Sequence, residues 1–370
     1  MKIAFLCKRR YMNKDVVVDR YGRLYEIPYG LALLGHEVAG FCLSYQGHED
    51  GQWNHDIPGG KGLLQWKSCN TGRYHTKFFF YPHYLLKELK SFKPDIIIGA
   101  SDIPHIVLAH WLSRQLSVPY AVDLYDNFES FAQAKIPGFV AGLRYATSQA
   151  AIVTATSAPL RDYVIETYFP MGQVIALPST VDKTIFRPAE KMAAREALGL
   201  PCDVKLIGTA GALSKLKGID ELYNAWRILE EQQPELHLVL AGPLSKDIAV
   251  PEGSRVHQLG MLSHEKIAQL FCALDVGVIC IPDTPFGRYC FPQKAYEMLA
   301  CNLPVVVSNV GALGDLLKDF PSCLYRSGSV DDMVDKLLAQ LEAPQLLQLH
   351  VSDWQELSLH FEKIIRSVVI

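Results

Sequence analysis

The sequence lacks most of what marks a chain for export, for a membrane or for a metal. None of its 370 residues belongs to a run of about 20 apolar side chains, the length needed to cross a bilayer, so any membrane contact is expected to be peripheral. Met1 leads directly into Lys-Ile-Ala-Phe-Leu-Cys, without the basic region, apolar stretch and small-residue cleavage site of a signal peptide, and the cytoplasm is the expected compartment. Nine cysteines form no C-x-x-C pair and sit mostly in or beside apolar runs, the pattern of buried reduced thiols. A D-x-D motif and a paired His/Cys cluster are both missing, and no metal is expected. Excess charge is missing too: 36 Lys and Arg against 39 Asp and Glu leave a net of −3, which argues against general adhesion to nucleic acid. After the first strand there is no G-x-G-x-x-G, which disfavours a nicotinamide dehydrogenase. Gly211-Ala-Leu-Ser-Lys-Leu-Lys-Gly218 has the wrong spacing for a P-loop.

What is present is a globular balance, 49% apolar and 20% charged, in a chain longer than one core usually serves. Short continuous apolar runs alternate with helical patterns, as in parallel sheets covered on both faces. The first half offers Ile3–Cys7, Glu37–Cys42, Asp95–Gly99, Pro119–Asp123, Ala151–Ala155 and Val174–Leu177. The second offers Lys205–Gly208, Leu236–Gly242, Val256–Leu259, Val276–Ile281, Pro304–Ser308 and Cys323–Tyr325. Between them, Ile219, Leu222, Tyr223, Trp226 and Leu229 recur at helical spacing, and Ser329 is placed to cap a helix over Val330, Met333, Leu337 and Leu341. The turn-rich segment Pro178–Pro188 separates the halves, giving domains over 1–182 and 183–351, with 352–370 as a terminal helix returning to the first. The expected fold class is α/β: two Rossmann-like domains facing each other across a cleft, with the site at the carboxyl ends of their strands.

Two segments carry candidate chemistry. Gly208 to Asp220 joins a strand to a helix; its glycines let backbone amides approach a phosphate, with Lys215 or Lys217 supplying charge. It reads equally as a solvated turn with exposed lysines. Lys294 and Glu297 lie three apart near the first turn of a helix that Pro292 introduces, where a carboxylate can accept both hydroxyls of a ribose; a plain surface ion pair is the alternative. Asp126, after a first-half strand, fits a polar anchor or a helix cap. Lys8 to Arg23 holds six basic and two acidic residues after the first strand, which makes Arg9, Arg10, Lys14 and Arg23 candidates for an anionic acceptor or membrane surface, or a loop that charge keeps solvated.

In order along the chain, Gly22-Arg-Leu-Tyr-Glu-Ile-Pro-Tyr-Gly-Leu-Ala-Leu-Leu-Gly-His-Glu-Val38, Lys93-Pro-Asp-Ile-Ile-Ile98, Val122-Asp-Leu-Tyr-Asp126, the linker Leu177–Pro188 and Phe291-Pro-Gln-Lys-Ala-Tyr-Glu-Met-Leu-Ala300 resemble glycosyltransferase family 4, the retaining sugar transferases of GT-B architecture. The resemblance implies a hexosyltransferase-like enzyme that moves a sugar from a UDP- or GDP-sugar to a glycan or lipid-linked acceptor in surface polysaccharide or glycoconjugate synthesis. The nucleotide sugar is a co-substrate, and no cofactor or metal is implied. Glu297 would hold the ribose, Lys217 the pyrophosphate, the amides of Arg288, Tyr289, Cys290 and Phe291 the sugar or phosphate, and Leu262 the base. Gly22 and Gly211 would border the donor, and the catalytic group would be Asp126, Lys217 and Glu297. Ala212 stands where the family commonly has arginine, with Lys215 or Arg288 as substitutes, and Tyr289 replaces the first glutamate of E-x7-E. Tyr125 replaces a frequent histidine. A nucleotide-sugar epimerase or a catalytically silent scaffold of the same fold fits the same residues.

Overall fold

The computed structural model describes residues 1–72, 76–290, 293–347, 349 and 351–369. They fall into two units, Met1–Ser179 with Trp354–Ile370, and Thr180–Asp353.

In the first unit the strands are β1 Lys2–Lys8, β2 Arg10–Tyr11, β3 Lys14–Asp15, β4 Glu37–Ser44, β5 Gly51–His55, β6 Leu63–Asn70, β7 Ile96–Ala100, β8 Tyr120–Leu124, β9 Ile152–Ala155 and β10 Gln173–Ala176. Eight make one sheet in the order β10-β9-β8-β7-β1-β4-β6-β5, parallel except for β5 against β6. The chain builds outward from β1 through β4, then returns to the other side at β7. The order therefore reverses between β1 and β7, where Ile3 pairs with Ile96 and Leu6 with Gly99, and the carboxyl ends open a crevice. Buried Ile96, Ile97 and Ile98 show why the apolar runs were continuous: helices cover both faces.

Sequence pattern missed β5 and β6. In β6 burial alternates along Leu63-Leu-Gln-Trp-Lys-Ser, a half-exposed pattern broken by polar residues, and β5 is a polar edge strand. The expected solvated loop from Lys8 to Arg23 is also corrected. It contains the antiparallel ribbon β2–β3, and Tyr11, Val16 and Val17 are buried in the core of the unit. Arg9 is 4% exposed, donates from Nε to Asp15 at 3.0 Å and from Nη1 to the Glu49 carbonyl at 2.9 Å, and lies 4.5 Å from the Trp53 ring. Three apolar side chains in one short segment draw it onto the core and take Arg9 with it.

Helix Arg23–Leu33 packs against helix Trp354–Val369, whose Leu357, Phe361 and Ile365 join the same core. The approach is close because residue 30 is glycine. A β-carbon there would fall on Ser358 Oγ and lie 2.6 Å from Ser358 Cβ. Gly30→Val is expected to cost about 1–3 kcal/mol by overpacking. Thermal denaturation checks this, and adding Ser358→Gly should recover part of the loss.

The second unit has β11 Lys205–Ala210, β12 Leu236–Ala241, β13 Val256–Gln258, β14 Val276–Ile279, β15 Val305–Ser308 and β16 Leu324–Tyr325, in the wholly parallel order β13-β12-β11-β14-β15-β16. Its order reverses between β11 and β14. Helix Ile219–Gln232 buries Leu222, Tyr223, Trp226 and Leu229, and Ser329 caps helix Val330–Glu342 by accepting from the Asp332 amide. Among the described residues, no helix is long and apolar enough to cross a membrane.

Candidate functional site

At the carboxyl end of β11 the chain turns at Gly211, φ 118°, and runs through the 3₁₀ turn Lys215–Lys217 to Gly218, φ 71°, which starts helix Ile219–Gln232. Glycine is required at both ends. The loop is tied to its neighbours by Gly211 N–H to the Ala241 carbonyl at 2.9 Å and Leu213 N–H to the Pro243 carbonyl at 3.0 Å. A β-carbon at Gly218 would press on Pro282 and Cys280, so the loop lies directly against the end of β14 at the switch point.

Helix Gln293–Ala300 brings the second set of residues to this edge. A β-carbon on Gly211 would sit 3.4 Å from Lys294 Nζ, which sets the ammonium beside the glycine backbone. Burial pushes the Lys294 pKa down to about 8, Glu297 works against that shift, and nearby Lys217 adds to it. Burial likewise raises Glu297 to about 7, with Lys294 pulling the other way. Both side chains are partly buried. Lys217 Nζ rests 4.4 Å from the centre of the Phe286 ring and is exposed. Gly211, Lys217, Lys294 and Glu297 thus converge at one switch point, with two cations, a glycine that leaves the backbone open to close approach, and a carboxyl that is easily protonated. Such a group of charges beside an open backbone suits a diphosphate with a hydroxylated ring attached.

The other candidates on this side stand differently. Lys215 is exposed, its amide donating to Asp247 at 3.3 Å. Arg288, also exposed, is held by Asp283 through Nε at 2.6 Å and Nη2 at 3.2 Å, so its guanidinium already has an acidic partner; Asp283, five residues earlier, was the overlooked signal. Tyr289 is partly exposed at the end of helix Pro285–Tyr289, and Cys290 is buried with its thiol toward the Gly287 carbonyl at 3.6 Å. Leu262 packs its side chain against the core. Phe291 and the helix start at Pro292 lie outside the described residues.

In the first unit, Gly22 has φ 68° and a β-carbon there would meet Tyr11 at 2.8 Å. Arg23 does not face an acceptor: it is 1% exposed, donating to both Asp123 oxygens from Nε at 3.1 and 3.0 Å and from Nη2 at 2.7 Å. Its place in a helix that covers the sheet turns it inward onto β8. Arg10 and Lys14 remain exposed. Asp126 follows β8 and accepts the Asn127 amide at 2.8 Å. Missed from sequence was Lys8, at the end of β1 beside the switch point. Its Nζ donates to Tyr125 Oη at 2.9 Å, and burial lowers its pKa while Asp102 and Asp126 oppose the shift. Tyr125 therefore replaces the frequent histidine with a hydroxyl that bridges Lys8 and the Ser101 carbonyl, 3.1 Å away. Among the described residues, no group of three or more His, Cys, Asp or Glu is placed to hold a metal.

Both halves of the chain match known families. The family described as "Glycosyl transferase 4-like domain" matches residues 23–180, and "Glycosyl transferases group 1" matches residues 204–343. The D-inositol 3-phosphate glycosyltransferase of Stackebrandtia nassauensis is 30% identical over 268 residues, covering 67% of this chain and 57% of that one. The protein of the same name from Mycobacterium tuberculosis is 32% identical over 181 residues, 45% of this chain and 36% of its own. The chain thus spans 57% and 36% of the length of these relatives. Sucrose-phosphate synthase from Thermosynechococcus elongatus superposes with a TM-score of 0.69 at 19% identity, over 100% of this chain and 94% of that one. Anabaena HepE in complex with UDP gives 0.67 at 16%, over 100% and 98%. At such identities these likenesses speak for the fold. With both family matches in tandem and this topology, the chain belongs to the glycosyltransferase 4-like family and has the GT-B fold.

Proposed function

We propose that the chain is a retaining glycosyltransferase that moves a sugar from a UDP- or GDP-sugar to a hydroxyl of a glycan or lipid-linked glycan, in surface polysaccharide or glycoconjugate synthesis in the cytoplasm and without a metal. The observation that carries this reading is the Lys294 ammonium set beside the Gly211 backbone, with Glu297 close enough to act on its charge. The names of the inositol phosphate glycosyltransferase relatives and the UDP in the HepE structure support it.

In the reaction, the bond from the anomeric carbon to the β-phosphate oxygen breaks and a bond to the acceptor oxygen forms on the same face. The acceptor proton passes to the departing phosphate oxygen. No protein nucleophile is needed; Lys217, Lys294 and the loop amides stabilise the charge that grows on the diphosphate. Glu297 orients the ribose. Lys294 supplies the cation that Ala212 does not. In the first unit, Asp126 and Lys8 are the groups for acceptor hydroxyls or phosphate, with Arg10 and Lys14 the remaining exposed cations of the ribbon.

The test is nucleotide binding against pH. Lys294 is charged below about 8, so UDP or GDP should bind steadily just below that pH and more weakly above it. The loss approaches ~10-fold per pH unit, the limit for one linked proton. Lys294→Met should weaken binding below pH 8 and flatten the curve above it. Calorimetry on both proteins checks the result. Absence of binding to either nucleotide, or a wild-type curve unchanged by the substitution, removes the donor-site assignment. Conversion of donor to an isomeric nucleotide sugar without acceptor would establish the epimerase instead.

A further inference from the structure

A cavity of about 570 Å³ opens in the first unit beside the carboxyl ends of β4 and β7, with Leu43, the register partner of Lys8, in its wall. Its walls come from the turn Thr76–Phe79 and helices Tyr81–Phe92, Ile103–Leu116 and Phe139–Ser148. Phe78, Phe79, Tyr81, Ile103, Trp111 and Phe139 give it an almost wholly apolar lining. Two polar atoms of lining residues, Tyr81 Oη and His105 Nε2, are buried without a hydrogen-bond partner among the described residues. His105 is held from its other nitrogen, Nδ1, by Asp102 at 2.5 Å, so the ring is fixed.

The rim has the opposite economy to an ordinary surface. Phe79 and Phe80 are 78% and 74% exposed, consecutive aromatic rings that no core contact accounts for, and Ile136 is exposed as well. Exposed cations lie close in sequence to the lining residues. Lys87 lies one turn beyond the lining residue His83, Arg114 three residues after Trp111, and Lys135 three before the lining residue Gly138. None of these three has an ion pair among the described residues, whereas the acidic side chains nearby are engaged: Glu88 with Lys67 at 2.5 Å and Glu129 with Arg144 at 2.8 Å.

Apolar walls, protruding aromatics and exposed cations on or close in sequence to the elements that form those walls together match one kind of partner, the surface of an anionic bilayer. We propose that this cavity takes a hydrocarbon chain of an anionic membrane lipid while Phe79 and Phe80 enter the interface and Lys87, Arg114 and Lys135 meet the headgroups. Because the ribbon's Arg9 and the adjacent Arg23 are buried in ion pairs, this face replaces the segment after the first strand as the basic membrane-facing surface. The residues that line it all belong to the first unit, whereas Gly211, Lys217, Lys294 and Glu297 belong to the second.

Trp111 makes the proposal directly measurable. The full chain is mixed with vesicles of phosphatidylglycerol or of phosphatidylcholine, with brominated acyl chains as quenchers, and sedimentation and tryptophan fluorescence are read together. Sedimentation with phosphatidylglycerol is expected to exceed that with phosphatidylcholine at least 10-fold and to fall as salt is added, with strong quenching. Trp111→Phe should remove most of the quenching and leave sedimentation unchanged. Gly142→Leu fills the cavity from its wall; a β-carbon there makes only an ordinary contact with Val107 at 3.4 Å. That variant should abolish Trp111 quenching and weaken sedimentation several-fold. Phe79→Ser with Phe80→Ser, both at exposed positions, should weaken sedimentation at least 10-fold at unchanged melting temperature. The proposal is overturned by equal binding to the two lipids, by binding to neither, or by quenching that survives both Trp111→Phe and Gly142→Leu.

Discussion

Replacing Glu297 with glutamine is expected to lower kcat/KM for sugar transfer about 10- to 100-fold, the weight of a hydrogen bond to a charged group, while leaving the folded protein as stable or more so. The two effects have one origin. Burial holds the Glu297 carboxyl at about 7, above the ordinary carboxylate range. A raised acid contributes its stability below the unfolded pKa and loses it as pH rises toward the folded one. Wild type should therefore lose ground to Glu297→Gln between pH ~4.3 and about 7, and run parallel to it above. Melting curves over that range, beside steady-state kinetics, separate a donor-binding carboxylate from a structural one. Unchanged kcat/KM would sink the ribose assignment, whatever the melting curves do.

The largest loss of stability is expected from Arg23→Ala. Among the described residues, the substitution leaves Asp123, 1% exposed, with the Thr154 hydroxyl at 2.5 Å in place of a two-nitrogen guanidinium clasp. Removing one partner of a buried ion pair costs about 3–5 kcal/mol, because the remaining charge is stranded in a poorly polarisable interior. Arg23→Met combined with Asp123→Leu should cost much less than the single change. Denaturant titration measures both. A loss under 1 kcal/mol for the single variant would mean that the pair is dispensable.

Where burial on both faces wrote a continuous apolar run, as at Ile96–Ala100 or Val305–Ser308, the strand could be read from the chain directly. The edge of the first sheet could not be, because β5 and β6 have one face toward water and their residues follow no strong rule of composition. Lys217 and Glu297 drew attention through their places in a glycine-bearing loop and on a helix face, and through the family resemblance. The meeting of Lys294 with Gly211 depends on where helix Gln293–Ala300 docks, and 83 positions separate them in the chain, a distance over which periodicity says nothing. The misjudged arginines have a simple lesson. Arg9 and Arg23 looked like surface charge because they cluster with other cations, but what decides burial is the apolar company, Tyr11, Val16, Val17 and Leu24, and the presence of Asp15 and Asp123 to receive them.

Helix Trp354–Val369 completes a core begun at Ile3, although Thr180–Asp353 forms a body of its own in between. On a ribosome adding ~5–20 residues per second, the first sheet emerges and then waits on the order of ten to thirty seconds before the segment that covers helix Arg23–Leu33 has been made. During that interval the face of the helix around Gly30 lacks a cover that it has in the finished molecule, and it is a natural handle for a chaperone. A nonsense codon shortly before Trp354 would accordingly yield a chain whose later-made body is whole and whose earlier-made body is the one left open.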